Sequence, residues 1–226
     1  MKASYQDDAV TIYHGDCREI VPTLGMFDLC LTDPPYGIGE SSEKIKSRQR
    51  KAGGKSQALA DQQDYGTFSW DNKPISDELI CSMFDISRHL CVWGGNYYEM
   101  PPSPSWLVWD KKNGANDFAD AELAWTNYGC AVRLKQHLWN GMLRKGHELR
   151  FHPTQKPLEI MSWCISLCPD NPQTVLDPFA GSCTTGRAAK DLGRKCVCIE
   201  MEEKYCEIGA KRMGQEVLNF NESKLT

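Results

Sequence analysis

The stretch TVLDPFAGSCTTGRAAKDLGRKCVCIE, residues 174–200, constrains the fold more than any other part of the chain. An apolar run breaks at a glycine turn, a segment of helical character follows, and a second apolar run rich in β-branched residues closes the unit. That is strand, turn, helix, strand. The same alternation recurs upstream. AVTIYHGDC (9–17) and FDLCLTD (27–33) read as strands. FDLCLTD is apolar on both faces, as a buried parallel strand must be. ISDELICSMFDISRH (75–89) reads as an amphipathic helix, and LCVWGGNYY (90–98), SWLVWDKK (105–112) and AELAWTNYG (121–129) as further strands. A helix entered through Pro157 and a last helix after residue 200 complete the series. Strands alternating with helices predict an α/β sheet covered on both faces.

With 226 residues, 41% of them hydrophobic, the chain suits one domain with a real core. A net charge of −4 excludes a general basic coat for nucleic acid, although local patches still count. Two such patches exist. Residues 41–55 hold six Lys/Arg against one Glu, inside a polar loop at 39–68, and residues 130–151 hold five Lys/Arg, two His and one Glu. The N-terminus MKASYQDDAV has no apolar signal core and no run reaches membrane-spanning length, so a cytoplasmic protein without a membrane partner is expected. The eleven cysteines are scattered, and none pairs at Cys-x-x-Cys spacing. They read as free thiols in a reducing compartment, and no metal site is expected.

Acids mark the strand ends. Asp16, Asp33, Asp177 and Glu200 each close an apolar run. In a parallel sheet those ends share one edge, where α/β folds bind their ligands. Four carboxylates at one edge repel one another unless a ligand brings donors or positive charge. An amine, a ribose diol and a cationic centre meet that need. The turn after Asp177 lacks the G-x-G-x-x-G spacing of a dinucleotide site and the Gly-Lys-Ser/Thr of a phosphate loop. Glu200, 19 residues beyond Gly181, stands where an acid takes a ribose diol.

Three segments in order carry a resemblance. DPPY with a following glycine (33–37), HPTQKPLEI (152–160) and DPFAGSCTTG (177–186) resemble the motifs of the β-group S-adenosylmethionine-dependent DNA amino-methyltransferases, with the catalytic motif first and the cofactor motif last. The resemblance spans roughly residues 8–40 and 90–212. It implies a Rossmann-like methyltransferase fold with a seven-stranded, mostly parallel sheet in circularly permuted motif order. Strand 174–177 would lie centrally beside the DPPY strand, and AELAWTN would be the one antiparallel member. It implies methyl transfer from S-adenosylmethionine to N6 of a flipped-out adenine in DNA. Asp in the first motif position favours adenine, and cytosine N4 is the nearest alternative.

The resemblance also implies roles. Asp33 and the carbonyl of Pro34 would accept the N–H groups of the target amine, with Pro35 stiffening the turn and Tyr36 offering a face to the base. Asp16 would meet the cofactor's adenine amine, and Glu200 its ribose. Asp177, Phe179, Gly181, Ser182 and Cys183 would pass the methionine part. Thr184 and Thr185 would cap the next helix and bond the carboxylate, and Thr154 and Lys156 would touch the methionine end. Trp93, Gly94, Gly95 and Asn96 match a segment near the target base.

Two departures stand out. Cys183 replaces a glycine of the family pattern, and its side chain would either crowd the cofactor or face the core. The target-recognition segment, about 130–151, is very short. It leaves room for a degenerate DNA site, for reading by the 39–68 loop, or for a homodimer. The rival classes are an NAD oxidoreductase, which lacks its motif here, a DNA-binding module without catalysis, and a methyltransferase acting on RNA or a protein amide, whose usual first-position residue is Asn.

Overall fold

The computed structural model describes residues 2–37, 74–113, 119–139, 148–152 and 154–215. The expected loop at 39–68 and the middle of the 130–151 segment lie outside the described residues.

The described strands are β1 (Tyr5–Gln6), β2 (Val10–His14), β3 (Phe27–Thr32), β4 (Ser87–Trp93), β5 (Trp106–Asp110), β6 (Ala121–Thr126), β7 (Arg133–Gln136), β8 (Thr174–Asp177) and β9 (Lys195–Glu200). The helices are α1 (Cys17–Ile20), α2 (Asp77–Asp85), α3 (Leu158–Leu167), α4 (Thr184–Asp191) and α5 (Glu203–Met213). All nine strands join one sheet in the order β1-β2-β9-β8-β3-β4-β6-β5-β7. β8 lies beside β3 in parallel, with Leu29 opposite Val175 and Cys30 opposite Leu176. β6 runs antiparallel to both of its neighbours, β4 and β5.

The expectation of seven strands undercounts the sheet. Two short edge strands are added: β1, antiparallel to β2, and β7, parallel to β5. β7 lies in the segment read as irregular, because Arg133, Leu134 and Gln136 are exposed and leave no apolar period to detect. The helix expected over 75–89 is also too long. α2 stops at Asp85, and Ser87–His89 instead take ladder positions against Phe27–Leu29 of β3. The Asn127 amide supports that strand, accepting from Leu90 N–H at 2.8 Å.

Alternation along β3 sorts the core. Leu29 and Leu31 face the layer built by α3, α4 and α5, through residues such as Ile160, Ile165, Ala188 and Met213. Cys30, between them, faces the opposite layer with Ile20, Leu79 and Met83 of α1 and α2. All three β3 side chains are fully buried. A central strand buried on both faces thus carries its C-terminal end, and the turn beyond it, as a rigid unit.

Candidate active site

β2, β9, β8 and β3 are consecutive and parallel, so their C-terminal ends fall side by side. The acids follow in that order across the edge: Asp16, Glu200, Asp177, Asp33. All four line one cleft of about 460 Å³, within the ~300–1,000 Å³ of small-molecule sites.

Each acid is held differently. Asp16 caps α1, accepting from Arg18 N–H at 2.9 Å, and the Arg18 guanidinium that bonds its side chain lowers its pKa. Glu200 accepts Gly181 N–H at 2.7 Å on Oε2 and Glu202 N–H at 2.8 Å on Oε1. Each of its oxygens keeps a lone pair for a ligand. Burial pushes Glu200 up to about 6, against those two backbone donors. Asp177 takes the Thr32 hydroxyl at 2.8 Å and Phe179 N–H at 3.1 Å on Oδ1. Burial lifts it to about 6 as well, although the Thr185 and Thr32 hydroxyls oppose the rise.

Asp33 is engaged through side chains on both of its oxygens. Its Oδ1 accepts the Tyr36 hydroxyl at 2.5 Å, and its Oδ2 accepts Lys156 Nζ at 2.6 Å. Burial raises its pKa, and the ammonium of Lys156 pulls the other way. Lys156 is itself only 6% exposed. Its ammonium also lies 2.9 Å from Glu122 Oε2 and 3.1 Å from the Tyr36 hydroxyl, and 5.5 Å from the ring centres of Tyr36 and Trp93. Lys156 therefore binds the acid of the DPPY turn directly, besides lining the cleft with Thr154. Thr154 donates its N–H to His152 Nδ1 at 3.2 Å.

The DPPY turn is braced from the segment that follows β4. The Tyr98 hydroxyl donates to Pro35 O at 2.7 Å and more weakly to Pro34 O at 3.2 Å. The Tyr36 ring stacks on Tyr97, with centres 5.0 Å apart and planes 16° apart. It also lies against Gly94, where φ is +67° and a Cβ would come within 2.1 Å of the ring. Glycine is the only residue that meets both demands. Gly95 is buried beside it, while Asn96 points to solvent.

At the second motif, Phe179, Gly181, Ser182, Thr184 and Thr185 line the cleft. Cys183 is not among the lining residues. It occupies the left-handed region at φ 58°, and its Sγ packs toward Gly209 of α5, where a Cβ would sit 2.5 Å away. The core-facing alternative for this side chain is the one observed. The expected capping by Thr184 and Thr185 is not. Cys183 is the N-cap residue of α4, with no side-chain cap bond, and the threonines lie within the first helical turn. They are used otherwise: Thr185 bonds Asp177, and Thr184 Oγ1 accepts from Arg212 at 3.1 Å.

Four residues escaped the sequence reading. Arg212 on α5, 6% exposed, donates to Ser182 O at 2.7 Å and Ser182 Oγ at 3.0 Å. Gln155 takes the Ser182 hydroxyl at 3.1 Å and so joins the two motifs. Tyr98 braces the prolines, and Glu122 holds Lys156. Glu122 had one detectable signal. β6 is antiparallel, so an acid near its start arrives at the edge where the parallel strands end.

A family model described as DNA methylase matches residues 108–211. The chain is 27% identical to the type II methyltransferase M.HinfI of Haemophilus influenzae, across all of this chain and 74% of that protein. It is 28% identical to the DNA adenine methyltransferase YhdJ of Escherichia coli, across 92% of this chain and 84% of that one. The crystal structure of the M1.HpyAVI-SAM complex superposes with a TM-score of 0.56 at 23% identity, covering 91% of this chain and 100% of that chain. The cytosine-N4-specific PvuII DNA methyltransferase gives 0.57 at 16% identity, covering 96% and 91%. The fold is therefore the Rossmann-like methyltransferase fold. Motif order, sheet edge and these likenesses agree: the chain is similar to the N6/N4 DNA amino-methyltransferases, and the family model matches it over residues 108–211.

Proposed function

We propose that this protein transfers a methyl group from S-adenosylmethionine to N6 of adenine in DNA. The observation that carries the reading is the partly buried Asp33 carboxylate, held at the end of the central strand in a cleft shared with Glu200, Asp177 and Asp16. YhdJ, a relative named as a DNA adenine methyltransferase, supports the choice of base.

The cleft suits the cofactor's chemistry. Glu200 has lone pairs aimed at a diol, Asp16 offers an acceptor to an amine, and the carboxylate-rich edge favours a cationic sulfur. When bound, S-adenosylmethionine supplies a methyl carbon on that sulfur; the amine's lone pair bonds to the carbon, and the carbon–sulfur pair stays on sulfur. The chain's own work is done at the amine. An exocyclic adenine nitrogen is a weak nucleophile because its lone pair is delocalised into the ring. Asp33 and the Pro34 carbonyl accept its N–H groups, localise the pair and stabilise the positive charge that develops on nitrogen. Asp33 then takes the surplus proton. Its raised affinity for protons suits that step. Tyr36 and the half-exposed Tyr97 form the aromatic surface that receives a base drawn out of the duplex.

The setting proposed with this reading is the cytoplasm, with DNA as partner. The chain would act as one methyltransferase domain, and a second copy would share target recognition. No helix among the described residues is long and apolar enough to cross a membrane.

The test is mass spectrometry of nucleosides from DNA incubated with the protein and S-adenosylmethionine, with Asp33→Ala as control. N6-methyladenine from the wild type alone is the expected result. N4-methylcytosine overturns the base assignment. No methylated base, with cofactor binding intact, overturns DNA as the substrate.

A further inference from the structure

We infer that Glu122 is a positioning residue for the transfer: it shares the Lys156 ammonium with Asp33, so that the cation does not saturate the carboxylate the target amine has to use. The inference rests on the reading of Asp33 given above.

Each oxygen of Asp33 already accepts one donor, which leaves one lone pair apiece. Tyr36 holds one oxygen at 2.5 Å and Lys156 the other at 2.6 Å. The amine that arrives there turns cationic as the methyl is transferred. Lys156 then becomes a second cation on the same carboxylate, in a site where it is 6% exposed and little screened. At an effective dielectric of about 20, such repulsion at ~5 Å would be worth up to a few hundredfold in rate. Glu122 offsets it. Its Oε2 stands 2.9 Å from the same ammonium, nearly matching the Asp33 distance. Lys156 therefore has a second anion to which it can lean while Asp33 turns to the amine.

Glu122 is itself held in its ionised form. Burial alone would push it up, but Lys156 and Lys111 outweigh burial and hold it at about 2. Lys111, just after β5, is ion-paired with Glu122 Oε1. The four side chains thus alternate in charge: Asp33, Lys156, Glu122, Lys111. Topology explains why Glu122 is within reach. Among the seven strands from β2 to β5 in the sheet order, β6 alone is reversed, and its second residue is Glu122.

The test compares Glu122→Gln and Glu122→Asp with the wild type. The readings are kcat and KM for S-adenosylmethionine in methyl transfer to DNA, the pH profile of kcat, and cofactor affinity by calorimetry. Glu122→Gln is expected to lower kcat about thirty- to hundredfold, with cofactor KM and affinity within about twofold. Its acid limb is expected to move to lower pH. Lys156, Tyr36, Glu122 and Asp177 are the ionisable groups facing Asp33, and Glu122 is one whose negative charge raises it. Glu122→Asp keeps the charge, and so should keep the acid limb and recover most of the rate.

A Glu122→Gln enzyme with wild-type kcat overturns the inference. So does one that loses cofactor binding, because a residue acting at the acceptor has no part in cofactor affinity. Equal losses in both variants, with unmoved acid limbs, overturn it too, since they report packing rather than charge. If the wild type methylates no DNA, the reading of the site fails and this inference with it. An active wild type with an unaffected Glu122→Gln variant removes the role of Glu122 alone.

Discussion

Lys156 is one residue with two jobs, electrostatic and structural. Its buried ammonium satisfies Asp33 and Glu122 at 2.6 and 2.9 Å, so removing it strands two partly buried carboxylates. Breaking a buried ion pair from one side costs about 3–5 kcal/mol. Lys156→Met is therefore expected to lose stability of that order in urea unfolding, as well as activity. Cys183 leads to the opposite expectation. Glycine relieves the left-handed backbone at φ 58°, worth about 1–2 kcal/mol, but deletes a fully buried side chain packed toward Gly209. The two effects nearly cancel. Because the thiol faces away from the cleft, Cys183→Gly should change the dissociation constant for S-adenosylmethionine by less than about twofold in calorimetry. Cys183 is legible as a departure in the sequence, yet its direction is not. Neighbours from α5, more than twenty residues away, decide where its side chain packs.

At the scale of elements, the cofactor turn after β8 is stiffened by α5. Arg212 donates to both the carbonyl and the hydroxyl of Ser182 and to Thr184 Oγ1. Its pKa is lowered by burial, with the Glu148 carboxylate opposing, so the charge is costly and kept in place by those acceptors. Arg212→Gln is expected to raise KM for S-adenosylmethionine about tenfold while kcat falls less than about threefold, measured by initial rates. That split marks a residue acting on the cofactor turn and not on the amine. Local pattern revealed β8, the turn and α4. It could not reveal Arg212, which sits in a helix whose exposed positions are charged too. Nor could it reveal β7, whose exposed residues carry no period.

At the scale of the whole molecule, the sheet stores unfavourable charge at its binding edge. Asp177 and Glu200 both have folded-state values near 6, above the ~4 of free carboxyls. A raised value means a contribution to stability that is present in acid and lost as pH rises through about 6. In the absence of cofactor, the melting temperature is expected to fall between pH 4.5 and 7 on account of these two groups, and Glu200→Gln should flatten that slope. A cationic ligand reverses the balance. The rise in melting temperature on adding S-adenosylmethionine should be larger at pH 7.5 than at pH 5, as calorimetric scans at the two pH values would show.

The sequence by itself determined the alternation of strand and helix, the acids at strand ends, and the three motifs in their order. These are local signals: apolar period, turn chemistry and short spacings survive in a linear chain. From them follow the class of fold and the resemblance to the amino-methyltransferases, and with that resemblance the pairing of strand 174–177 with the DPPY strand. Only the tertiary structure decided which groups meet across long separations. Asp33, Glu122 and Lys156 lie on β3's turn, on β6 and before α3, and converge because one reversed strand brings its start to the edge where the others end. Strand direction and side-chain orientation are set by packing and pairing between distant segments. No periodicity within a segment encodes them.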